Sequence, residues 1–76
     1  MKNIQAKKKL IKMADKWMKR GQNPDFDAET FLEDMWNVAF KAYPEMKTSE
    51  DVYYINEVKL SNIVDIAYDE LEEETA

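Results

Sequence analysis

The chain has no cysteine and no histidine, one glycine and two prolines among its 76 residues. Without cysteine there is no disulfide and no thiol nucleophile. Without either residue, the ordinary zinc ligand sets and the usual neutral-pH proton shuttle are missing. A single glycine leaves no glycine-rich phosphate loop. No apolar run approaches the roughly 20 residues that span a bilayer. The first residues also lack the apolar block and small-residue cleavage site of a secretory signal. These absences predict a cytoplasmic chain with no cofactor, no metal site and no membrane span.

What is present fits one small domain covering residues 1–76. Apolar residues make up 45% and aromatics 12% of the chain, enough to fill a single core. A core of this size rarely leaves more than about 3–5 kcal/mol of net stability. Charge is segregated along the chain. Residues 1–20 hold eight basic groups and one acid (Asp15), whereas residues 21–76 hold three basic groups and fifteen acids, for a net charge of −5.

Periodicity predicts an all-α fold, a small bundle of three to four helices. The first helix is expected over Lys2–Arg20, where Ile4, Leu10, Ile11, Met13, Ala14, Trp17 and Met18 share one half of the wheel. Gly21 suits the left-handed position after a helix end. Lysines in the first turns oppose the helix dipole, so local helix energetics do not account for them. The second helix, residues 28–43, begins with Asp27 as cap and Phe26 and Phe31 as a hydrophobic staple, and ends at Pro44. Its apolar arc spans about 200°, too wide for a single neighbour to cover, so this helix is expected at the centre. The third region starts near Thr48 or Ser49. A phase slip near residues 58–61 predicts two helical pieces, 49–58 and 61–73, although "VYYI" (52–55) also has the composition of a short strand. The terminal "EEETA" is expected to fray.

Several constellations invite a functional reading. Lys8, Lys12, Lys16 and Lys19 fall on one face of the first helix and suit a polyanion, either a phosphate backbone or an acidic protein surface. Asp65, Asp69 and Glu72 form an acidic stripe that would complement it, within the chain or between two copies. Nucleic acid is the weaker choice. Arginine occurs once, no aromatics interleave with the lysines, and the link from Gly21 to Asp27 exceeds a helix-turn-helix turn. "DFDAE" (residues 25–29) begins like a calcium loop but lacks the glycine and the terminal glutamate. The carboxylate pairs Glu33–Asp34 and Glu72–Glu73 are sequence neighbours and so lie on different sides of a helix. No enzymatic activity is expected.

The expected function is therefore non-catalytic: a small regulatory or inhibitory protein, of a size that suits a phage accessory protein, acting by protein–protein binding with a partner or as a homodimer. The expected contact residues are Lys8, Lys12, Lys16 and Lys19 together with Val38, Phe40, Tyr53 and Tyr54. Val38 and Phe40 sit at the edges of the wide arc, and adjacent tyrosines cannot both face a core. The alternative is a nucleic-acid-binding accessory protein using the basic face of the first helix.

Overall fold

The computed structural model describes residues 3–75, with side chains through Glu73. Every regular element among them is helical. Three α-helices, α1 (Ile4–Met18), α2 (Ala28–Ala42) and α3 (Glu57–Thr75), pack against one another, joined by three short 3₁₀ turns at Arg20–Gln22, Pro44–Met46 and Ser49–Val52. None of these helices is long and apolar enough to cross a membrane. The start expected at Lys2 lies outside the described residues.

Local chemistry sets the boundaries. Asp27 caps α2 by accepting from the Thr30 backbone N–H at 3.2 Å and its hydroxyl at 2.8 Å. These bonds also hold the Asp27 carboxyl below its ordinary value. Capping thus accounts for Asp27, and Glu29 lies in the first turn of α2, where the helix dipole favours an acid. Phe26 and Phe31 form the staple, with ring centroids 4.9 Å apart, and Trp17 of α1 stacks on Phe31 at 6.3 Å with the planes 9° apart. Pro44 follows α2 and opens the next 3₁₀ turn.

Gly21 is not left-handed: it sits inside a 3₁₀ turn, and no described glycine has positive φ. The end of α1 is closed instead by the Lys19 N–H, which reaches the Asp15 and Lys16 carbonyls, and by the Arg20 guanidinium, which donates to the Trp17 carbonyl at 2.7 Å.

The third region also departs from expectation. The break falls at residues 53–56, not 58–61, and α3 is one continuous helix of 19 residues. Asn56 starts it, its side chain accepting from the Lys59 N–H at 3.1 Å. Val58 has no phase to keep because it faces water. Residues 52–55 form no strand.

The core draws Leu10 and Ala14 from α1, Leu60, Ile63, Val64 and Ala67 from α3, and its largest share from α2. Helix α1 runs antiparallel to both partners. Asn3 at its start donates to the Ala42 carbonyl, while Trp17 at its end meets Phe31. Lys7 near its start meets Glu70 near the end of α3. Helices α2 and α3 therefore run the same way, and residues 43–56 must return along α2 before α3 can begin.

The exposure expected for Val38 and Phe40 is not found: they are only 6% and 9% exposed. Val38 lies in register with Phe31, Met35 and Ala42, the stripe that meets α1. On the other edge, Phe40 packs edge-on against Trp36 (centroids 4.6 Å apart) with the Lys59 ammonium over its ring. The wide arc of α2 is covered by the chain's own segments.

Candidate protein-binding surfaces

Asp51 organises the return segment. The side chain reaches back to the Thr48 N–H at 2.7 Å and the Thr48 hydroxyl at 3.0 Å, and it accepts from the Lys59 ammonium at 2.6 Å. Its carbonyl accepts from the Trp36 indole N–H at 3.2 Å. Buried beside these donors, with Lys59 contributing most, the Asp51 carboxyl is held below its ordinary value. One residue thus ties the return segment to α2 and to the first turn of α3.

The segment just beyond this anchor faces water. Tyr53 is 84% exposed and Tyr54 55%, with Val52 also exposed beside them. Together with Phe40, Trp36 and Ile55 they line an open depression of about 540 Å³, edged by Glu33, Asn37 and Lys47. The structure thus brings three expected contact residues, Phe40, Tyr53 and Tyr54, to one place. Phe40 contributes only from the floor, and Val38 lies elsewhere.

Lys8, Lys12, Lys16 and Lys19 are all exposed, and none of them lines that depression. Lys8 and Lys12, with Lys9, Ile4 and Gln5, border a shallow surface hollow. Lys19 pairs with Asp15 of its own helix at 3.2 Å, both side chains solvated. Among the described residues, Lys8, Lys12 and Lys16 have no acid at ion-pairing distance. Asp65 and Asp69 of the expected acidic stripe make no ion pair with them among the described residues.

Among the described residues, the ion pair that joins α1 to α3 is Lys7–Glu70, at 2.8 Å, with the Lys7 side chain only 7% exposed. The Lys7 ammonium also lies 4.8 Å from the centroid of the Tyr43 ring. Glu70 is held below its ordinary value, first by Lys7 and then by Tyr43. The Tyr43 phenol is pushed well above its ordinary value by burial, with the Glu70 carboxylate adding to the effect. Its oxygen makes no hydrogen bond of regular geometry, although Glu70 lies close enough to raise it.

Sequence reasoning missed this cluster, yet the signal was there. Lys7 precedes Leu10, Ile11 and Ala14 by three, four and seven positions, and Glu70 follows Ile63 and Ala67 by seven and three. Both sit on apolar stripes, where a charged residue calls for a partner.

A second surface also went unforeseen. A groove of about 410 Å³ opens where the end of α1 meets the first halves of α2 and α3. Met18, assigned to the core by periodicity, stands at its edge 78% exposed. No family model, curated protein or solved structure matches the chain.

Proposed function

We propose that the protein is a non-catalytic regulatory or inhibitory module that acts by occupying the surface of another protein, with the Tyr53–Tyr54 depression as its contact. The observation that supports this most is the run of exposed apolar and aromatic side chains at Val52, Tyr53 and Tyr54 on a backbone pinned by Asp51. Exposed aromatics cost a small domain solubility and add nothing to its core. Held in place beforehand, they lose little conformational freedom on binding, and tyrosine is over-represented among the residues that dominate interfaces.

The test compares the intact protein with Tyr53→Ala/Tyr54→Ala, each immobilised and exposed to extract of the native host. Because both rings are solvated, the variant should keep its helical circular dichroism. Loss of one specific captured protein supports the reading, provided purified components reproduce the loss. Undiminished binding by a folded variant rejects the site.

A second reading is supported by the solvated face carrying Lys8, Lys12 and Lys16, which lack acid partners among the described residues. Such a face suits a nucleic-acid backbone. Titration with duplex DNA and single-stranded RNA decides it, because binding through several lysines must weaken steeply as salt rises.

A further inference from the structure

The groove at the end of α1 has an apolar floor, including Leu32, Met35, Leu60 and Val64, and its edges carry Met18 and Tyr68, the latter 45% exposed. Its two sides differ in charge. Arg20 stands on the α1 side, held over the Trp17 ring at 4.1 Å. Glu57 and Asp65 stand on the α3 side, both exposed and without an ion-pair partner among the described residues.

A surface with a basic bank facing an acidic bank complements itself under two-fold symmetry. When the axis runs along the groove, each bank of one copy meets the opposite bank of the other. Arg20 then faces Asp65 and Glu57 twice over, and Met18 and Tyr68 are covered.

The dimensions of the molecule leave surface enough for such a contact. The chain measures 36 × 31 × 18 Å, a slab rather than a sphere. Its accessible surface is 5553 Å². A compact monomer of 9.0 kDa exposes roughly 4,900 Å². The excess, roughly 700 Å², is close to the ~800 Å² that each partner buries in a standard interface.

We infer that this groove is the seat of a second copy of the chain, in a two-fold dimer that pairs the α1 side of each copy with the α3 side of the other. The inference rests on reading the chain as a protein-binding module and names the partner for this surface. It leaves the Tyr53–Tyr54 depression free for a different protein.

Charge reversal tests it by sedimentation, with folding checked by circular dichroism. Arg20→Glu alone and Asp65→Arg alone each set like charges against each other twice per dimer, so each should raise the dissociation constant at least about tenfold. The double variant Arg20→Glu/Asp65→Arg should dimerise again. An equimolar mixture of the two single variants should form a heterodimer that neither forms alone, because both pairs between positions 20 and 65 across the groove are then opposite in sign. Met18→Glu, at a solvated position, should dissociate the dimer without unfolding the monomer.

A chain that stays monomeric up to about 1 mM, where only contacts weaker than ~4 kcal/mol escape notice, overturns the inference and leaves the groove to a partner of other chemistry. A dimer indifferent to Met18→Glu and to both reversals overturns it equally. Tyr53→Ala/Tyr54→Ala should leave the dimer intact. Failure of the dimer and failure of the partner-binding depression are thus read in separate experiments.

Discussion

Lys7 is a lysine that the core has taken in. An ammonium buried beside an aromatic ring is tolerated because Glu70 lies 2.8 Å away, and Glu70 in turn gains a charge-assisted hydrogen bond. About a third of the Glu70 side chain still meets water, so Glu70→Gln should cost about 1–2 kcal/mol, less than breaking a fully buried pair. Urea unfolding measures this. The pair also sets the acid response. Glu70 and Asp51 both titrate below their ordinary values of 4.5 and 3.8, so the stability they contribute is complete above those values. It is lost as pH falls through the depressed ones. Tyr43 works in the opposite direction. Its phenol is raised above 10, so its contribution holds below pH 10 and fades as alkali ionises the unfolded chain. Urea midpoints should therefore fall below about pH 4.5 and again above about pH 10, and Glu70→Gln should flatten the acid limb. Among purely apolar residues, Ile63 is completely buried. Ile63→Ala should cost about 2–5 kcal/mol, enough to unfold much of a domain this small.

At the scale of the helices, each of the two terminal ones carries charges that its own dipole disfavours. The first turn of α1 holds no acid and is followed by lysines, while the end of α3 holds no base and carries Glu70, Glu72 and Glu73. The antiparallel packing brings these ends together, and Lys7–Glu70 is the contact that results. This pairing resolves part of what the sequence left open about the early lysines. The cap, staple and termination of α2 were legible because each is local: Asp27, Phe26, Phe31 and Pro44 act within a turn of one another. The break at residues 53–56 was not legible, because it depends on Trp36 reaching Asp51, a contact between positions 15 residues apart. Its local trace is Asn56, a residue type that caps helices, one position before α3 begins. The same long-range fold-back buried Phe40 and gathered Tyr53 and Tyr54 beside it. Three residues that line the depression, Phe40, Tyr53 and Tyr54, stand out in the sequence, but their meeting in one place does not. If Asp51 is the tie, Asp51→Ala should loosen the return segment before the bundle. Hydrogen exchange should speed at the Trp36 indole and at the Asp51 and Tyr53 amides, while the α1 amides stay protected.

For the molecule as a whole, the remaining question is what the segregated charge does. If the basic face of α1 served the fold, its lysines would need acids near them. Lys8, Lys12 and Lys16 have none at ion-pairing distance among the described residues. Each instead has another lysine one turn away, since positions 8, 12 and 16 are spaced by four. Like charges at that spacing repel by about 0.2–0.5 kcal/mol per pair. The rest of the chain is acidic and attracts these lysines, but only at longer range, where salt screens it within about 10 Å. The nearer charges should win. Replacing Lys8, Lys12 and Lys16 together with glutamine should therefore leave stability unchanged or raise it by up to about 1 kcal/mol at low ionic strength. The gain should shrink toward zero at about 0.5 M salt as the repulsion is screened. Urea midpoints at the two salt concentrations measure both effects. A fold that tolerates or prefers the loss keeps these lysines at a standing cost, which directs their role outward, to a polyanion or an acidic partner. A loss of more than about 1 kcal/mol, fading with salt, would instead assign them to the chain's own acids and remove the basis for any external role.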